Sequence, residues 1–359
     1  MECRPRRSPK GRGANVSPPC RFARWAVVWD EPAPTGSDDE GQQRVPTEFF
    51  PDESKTIISE NQSPDVGFRY SLNPYRGCEH GCPYCYARPL HEYLGWSAGL
   101  DFETKILVKE RAAELFREWL RRPGWVCEPV AFSGATDCYQ PAEKRFELTR
   151  ACLRVALEAG QPVTIVTKNA LLLRDLDLLT QLGARGLLQV SISMTTLDEK
   201  LCREMEPRTS RPQARLRTLS VLAEHDIPTR VLVAPVIPGL NDSDMAAILK
   251  AAREAGARSA SYTLLRLPPS VQPVFLEWLQ RTFPARSQRI ESLIRQTHNG
   301  SLDDARFGYR MRGCGPLAEQ IDQAFRVFRR RYGLDVPLPA LDTSQFRPPE
   351  KASDQLRLF

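Results

Sequence analysis

Histidine is scarce in this chain. His80, His91, His225 and His298 are the four in 359 residues, and their spacing suggests no histidine-centred catalytic set. Long apolar runs are missing too: nothing approaches the roughly twenty residues that cross a bilayer, so no membrane-spanning segment is expected. Residues 1–12 are basic but lack the apolar stretch of a secretory signal, which leads us to expect a cytoplasmic protein. No internal repeat is evident. The hydrophobic content of 41% and charged content of 26% are ordinary for a globular protein, and the length suffices for one large α/β domain or two smaller ones.

Ten cysteines are present, three of them within eight residues and the rest scattered. That distribution fits reduced thiols, some of them metal ligands, better than a disulfide framework. Net charge is only +6, but residues 281–331 hold eleven arginines and no lysine against five acidic residues. A local excess of this kind suits an anionic partner, nucleic acid being the usual one, or a plain solvated surface.

Residues 1–60 are rich in Pro, Gly, Ser and Arg with little apolar periodicity, and are expected to form a disordered tail; residues 337–359 are expected to form another. Between them short β-branched runs alternate with amphipathic stretches. Strands are expected near 69–76 and at 130–133, 163–167, 188–193, 228–234 and 259–265. Helices are expected at 142–159, 171–182, 197–205, 212–225 and from about 242, with Gly160, Gly183 and Gly256 as C-terminal caps. Six such units predict an α/β fold with a parallel sheet, an open, partial (β/α)6 barrel over 61–300, followed by a helical extension over 301–336. Functional residues then gather at the C-terminal ends of the strands.

The stretch Asn73-Pro74-Tyr75-Arg76-Gly77-Cys78-Glu79-His80-Gly81-Cys82-Pro83-Tyr84-Cys85-Tyr86 follows the first expected strand. Its C-x3-C-x2-C spacing lets Cys78, Cys82 and Cys85 wrap three corners of an iron–sulfur cubane, leaving the fourth iron open. Two other readings use the same cysteines: a zinc knuckle with His80 or a distant Cys as fourth ligand, and an electron-transfer cluster completed by Cys138 or Cys314. The spacing is unusual for zinc. Cys127, Cys152 and Cys202 are read as buried apolar cysteines.

This loop resembles the signature of the radical SAM superfamily. Further stretches resemble its spore photoproduct lyase-related (SplB-like) branch: residues 132–141, Thr167-Lys168-Asn169, 191–196, Glu206-Pro207-Arg208, 234–242 and Leu265-Arg266-Leu267-Pro268. The resemblance runs from about residue 60 to 335. It implies a radical SAM partial barrel, a [4Fe–4S] cluster on the three cysteines and S-adenosylmethionine chelated at the open iron. Reductive cleavage of that cofactor to a 5′-deoxyadenosyl radical follows, which requires an electron donor. It also implies that Tyr84 packs near the adenine. Ser133 ends the second strand, where the methionine amino group is recognised. Lys168, Ser191 and Ser193 end the third and fourth strands and hold the carboxylate and ribose. Arg208 is a candidate anion contact, and residues 235–241 a candidate wall of the adenine pocket.

No cysteine here aligns with the one by which spore photoproduct lyase returns hydrogen to its substrate radical; Gly134 and Ala135 occupy the immediate positions. Cys138 and Tyr139 lie nearby and are the candidate hydrogen donors. The chain ends Gln355-Leu356-Arg357-Leu358-Phe359. This resembles the peptide by which bacterial repair proteins bind the replication sliding clamp, with Leu356, Leu358 and Phe359 as apolar anchors and Gln355 as an amide contact. The expected activity is therefore a radical SAM reaction on DNA or a nucleic-acid lesion. The rivals are a maturase of a peptide or small molecule, and a non-catalytic, clamp-tethered DNA-binding metal protein.

Overall fold

The computed structural model describes residues 9–22 and 45–350. Among these the strands are β1 (Glu48–Pro51), β2 (Ile58–Glu60), β3 (Tyr70–Leu72), β4 (Tyr75–Arg76), β5 (Lys105–Val108), β6 (Val130–Phe132), β7 (Val163–Thr167), β8 (Leu188–Ser193), β9 (Thr229–Val236) and β10 (Ser259–Leu264). The larger sheet has the order β10-β9-β8-β7-β6-β3-β2. β3 and β6 through β10 are parallel, and β2 pairs antiparallel with β3 at one edge. These are the six expected parallel strands in an open sheet whose ends are β2 and β10. Consecutive parallel strands are neighbours, as helical crossovers produce.

The strands form where β-branched residues alternate with partly exposed ones. In β7, Val163, Ile165 and Thr167 are buried and the intervening residues half-buried. The helix Leu148–Ala159 covers part of this sheet with Cys152, Leu153, Val155 and Ala156 buried, and it ends at Gly160 in the left-handed conformation. Among the described residues no helix is long and apolar enough to cross a membrane.

The helix expected at 171–182 opens as a 3-10 turn, Ala170–Asp175, before the α-helix Leu176–Ala184, and three larger features also depart from expectation. First, 142–159 is not one helix: Glu143–Phe146 and Leu148–Ala159 are separated by Glu147 at φ 51°. The Glu143 carboxylate accepts from Thr149 N (3.1 Å) and Arg150 N (3.3 Å), capping the second helix from the first. Second, Gly183 is not a cap. It lies inside Leu176–Ala184, where a Cβ would stand 3.1 Å from Ile227, and Gly186 takes the left-handed position instead.

Third, parts of both expected tails are packed. β1 joins β5 and β4 in a second, three-stranded sheet. Residues 9–22 lie against the cysteine loop through polar contacts rather than an apolar face. Residues 339–347 run along the N-terminal ends of β7 and β8, where Gln189 Nε2 donates to Pro339 O (2.6 Å), Asp342 N to Gly186 O (3.0 Å) and Arg347 N to Ala159 O (2.8 Å). The expected extension contains the helix Pro316–Arg331, tied to β10 by the Tyr262 hydroxyl on Asp322 (2.9 Å).

Candidate functional site

The first expected strand divides at Asn73-Pro74 into β3 and β4, which belong to different sheets. The chain thereby leaves the main sheet and returns as the cysteine loop. Asn73 Oδ1 accepts from Ala135 N (2.8 Å), tying this corner to the loop after β6.

Cys78 and Cys82 are buried, Cys85 is partly exposed, and all three are free thiols. Their backbone is braced on several sides. Gln140, wholly buried, donates to Gly77 O (3.0 Å) and accepts from Glu79 N (2.9 Å). Arg88 donates to Cys82 O through Nε (3.0 Å) and Nη2 (2.8 Å) and pairs with Glu103 at 2.5 Å. Glu103 accepts in turn from Gly13 N (3.0 Å) and Ala14 N (2.8 Å). Gly13 is pressed so closely on Gly81 O that a Cβ there would come within 1.8 Å of it. A segment of the expected tail thus straps the cysteine loop.

Burial pushes all three thiols up, so they keep their protons until a metal displaces them. Among the described residues no three His, Cys, Asp or Glu side chains converge on one metal ion. Three thiols on one short loop are the soft sulfur donors that cluster iron takes, so the donor set fits a [4Fe–4S] cluster.

Beside this loop the C-terminal ends of β7, β8 and β9 meet. Lys168 Nζ donates to Ser193 Oγ (2.5 Å) and Ala234 O (3.1 Å) and lies 3.3 Å from Glu206 Oε1. The same carboxylate accepts from the Tyr84 hydroxyl and from Arg215 Nη2. Arg215 also donates to Ser193 O (2.9 Å) and Ser210 O (2.8 Å). Burial alone would raise the Glu206 carboxyl, but Arg215 and Lys168 hold it down at about 2. Tyr84, Lys168 and Ser193 are therefore joined through a buried ionised glutamate. Ser191 stands one pleat repeat, about 7 Å, further back along β8.

Ser133 follows β6 at φ 75° and accepts from Cys138 N (2.9 Å), closing the turn that leads to Asp137. Asp137 accepts from Lys168 N (2.8 Å) and Thr167 Oγ1 (2.8 Å) and faces His80 Nδ1 at 3.5 Å. It links the cysteine loop to two strand ends. Burial lowers the His80 pKa despite Asp137, which leaves the imidazole neutral.

Cys138 and Tyr139 are wholly buried in the main core; the Tyr139 hydroxyl donates to Asp175 (3.1 Å). Arg208 stands apart from the Lys168 group: its backbone N donates to His80 O (3.3 Å), and its guanidinium lies 3.2 Å from Glu79. Gln355, Leu356, Leu358 and Phe359 lie outside the described residues. Sequence reasoning did not single out Glu206 or Arg215. Glu206 was visible only as the first residue of the Glu-Pro-Arg step, and Arg215 looked like any arginine on a surface helix.

The profile of the radical SAM superfamily matches residues 72–252. An uncharacterized protein of Mycobacterium tuberculosis (strain H37Rv) is 39% identical over 231 residues, 64% of this chain and 68% of that one. An uncharacterized protein of Methanocaldococcus jannaschii is 28% identical over 176 residues, 49% of this chain and 63% of that one. Among solved structures, spore photoproduct lyase complexed with dinucleoside spore photoproduct superposes with a TM-score of 0.56 at 14% identity, covering 79% of each chain.

Proposed function

We propose a function that proceeds from one premise: the chain belongs to the radical SAM superfamily, and is an enzyme that uses a [4Fe–4S] cluster and S-adenosylmethionine. Cys78, Cys82 and Cys85 are the residues we assign to the cluster. When bound, the cluster supplies the electron that cleaves the S–C5′ bond of S-adenosylmethionine to a 5′-deoxyadenosyl radical. The protein's part is to hold and shield. Arg88, Gln140 and the strap at Gly13 fix the backbone of the cysteine loop. Tyr84, anchored by its hydroxyl on Glu206, presents its ring to the adenine. Lys168 turns from Glu206 toward the cofactor carboxylate, Ser193 faces the ribose, and the Ser133 turn takes the amino group. Ser191, set back on β8, takes a structural part. The observation that carries this reading is the three-cysteine loop set beside the Lys168–Glu206–Tyr84 group at the strand ends.

For the substrate we propose a nucleic-acid lesion, in a cytoplasmic enzyme. Support comes from the likeness of fold to a lyase solved with a dinucleoside photoproduct. The arginine-rich region lends less than its count suggests, because Arg281, Arg295, Arg306, Arg310 and Arg326 pair with acidic neighbours. Arg289, Arg312, Arg330 and Arg331 remain exposed. The test is 5′-deoxyadenosine yield with and without ultraviolet-damaged DNA, alongside DNA binding at rising salt. Stimulation by damage, with affinity falling steeply with salt, is expected. No stimulation and salt-independent binding would favour a peptide or small-molecule substrate. We further propose that the C-terminal Gln355–Phe359 peptide binds the sliding clamp; its deletion should abolish co-migration with the clamp in gel filtration, and co-migration of the truncated protein would refute this.

A further inference from the structure

On the outer side of the strap a surface pocket of about 450 Å³ opens between residues 10–12, residues 45–47 and Arg208. Its charge is unbalanced. Arg12 is 6% exposed, and among the described residues its terminal nitrogens donate to neutral oxygens: Glu103 O (2.7 Å), Val45 O (2.9 Å) and Thr47 Oγ1 (2.8 Å). The Glu103 carboxylate nearby is already matched by Arg88. Arg208 shares Thr47 Oγ1 (3.4 Å) and pairs with Glu79 (3.2 Å), which also accepts from the Thr47 hydroxyl (2.8 Å). Lys10 stands exposed at the rim. Among the described residues, three cations thus face one carboxylate. Two guanidiniums converge on one hydroxyl and Glu79 balances the charge of one of them, so the remaining positive charge at the opening attracts a further anion.

We propose that this pocket is a phosphate-binding site, formed by Lys10, Arg12 and Arg208 with the Thr47 hydroxyl. Guanidinium forks and an ammonium at one opening match the several oxygens and the charge of a phosphate group. The site is separate from the Lys168 group and does not depend on cofactor cleavage. The phosphate comes either from a polynucleotide backbone or from a small phosphorylated molecule.

The test uses the full-length, cluster-reconstituted protein and two probes. Inorganic pyrophosphate is titrated by calorimetry, and a labelled single-stranded oligonucleotide is followed by anisotropy at several salt concentrations. The variants are Lys10→Gln/Arg208→Gln and Arg208→Lys. Both substituted side chains have solvent access, so the fold is expected to survive. The double variant should bind at least about ten-fold more weakly, with Arg208→Lys in between, since the lysine keeps the charge but loses the fork. Weakening of the oligonucleotide, with a salt slope shallower by about 0.7 for each phosphate no longer neutralised, identifies a polynucleotide source. Weakening of pyrophosphate alone identifies a small phosphorylated ligand. If neither probe binds the wild-type protein at millimolar concentration, or both bind the double variant as tightly as wild type, the proposal is overturned.

Discussion

Replacing Arg215 by methionine probes the buried network that orders the strand ends. Arg215 is 1% exposed and Glu206 0%. Removing the guanidinium leaves a buried carboxylate with Lys168, at 3.3 Å, the Tyr84 hydroxyl and the more distant Cys202 thiol (4.0 Å) as partners, and strips donors from Ser193 O and Ser210 O. Deleting one member of a buried ion pair costs about 3–5 kcal/mol. The Glu206 carboxyl gives a compatible figure. Burial raises it, yet Arg215 and Lys168 bring it from 4.5 to about 2. A depression of that size is worth about 3 kcal/mol. Because the folded value lies below the unfolded one, this stability is fully present above about pH 4.5 and is lost as pH falls toward 2. In Arg215→Met the carboxyl is released upward and takes a proton more readily, so the deficit relative to wild type should shrink between pH 7 and pH 4. Urea unfolding of both proteins at the two pH values measures it. Glu206→Gln/Arg215→Met should recover more than half of the loss, since the wholly buried carboxylate is gone and the one charge left without its partner, Lys168, reaches solvent. A deficit below about 1 kcal/mol at pH 7, or a double variant as unstable as the single one, would refute the argument.

Gly13→Val cannot keep its close approach to Gly81 O, so the strap should lift and trypsin should cut at Arg12 and Arg21 sooner than in wild type; an unchanged digestion rate would contradict the packing. Gln140→Leu removes two hydrogen bonds from the cysteine loop, and the reconstituted variant should lose iron faster on dilution into chelator, whereas equal rates would mean the loop does not need the brace. Cys138→Ala tests the sequence reading of Cys138 as a candidate hydrogen donor, a thiol that the structure buries in the main core: turnover of an identified substrate at the wild-type rate rules the thiol out, and loss of product at an unchanged 5′-deoxyadenosine yield supports it.

Much of the site could be read locally. The cysteine spacing is a property of eight consecutive residues, and Lys168 and Ser193 were singled out by what the family resemblance implies at the ends of the third and fourth strands. Arg215 was not readable although Glu206 lies nine residues before it, because Glu206 closes one helix, Arg215 lies in the next, and only packing across the turn between them brings the two together. Glu206 was not readable because part of its meaning comes from a distant partner. Tyr84 lies 122 residues from Glu206. The strap failed a composition test for a physical reason. Residues 9–22 bury little apolar surface, and what orders them is backbone N–H groups on Glu103, a buried arginine and a glycine-to-glycine contact. Composition counts none of these. The break at Glu147 was hidden similarly, since the Glu143 side chain caps the next helix in place of a conventional Ser, Thr, Asp or Asn. The sheet was legible because each strand from β6 to β10 is followed by a helix, whereas β1 and β4 are too short and too mixed to show as strands.

The most direct test of the central claim is anaerobic. The protein is reconstituted with iron and sulfide, reduced, and assayed for 5′-deoxyadenosine from S-adenosylmethionine beside Cys82→Ala. Production that is lost in the variant is the predicted result; a wild-type protein that carries zinc and no reducible cluster, and forms no 5′-deoxyadenosine, would contradict it.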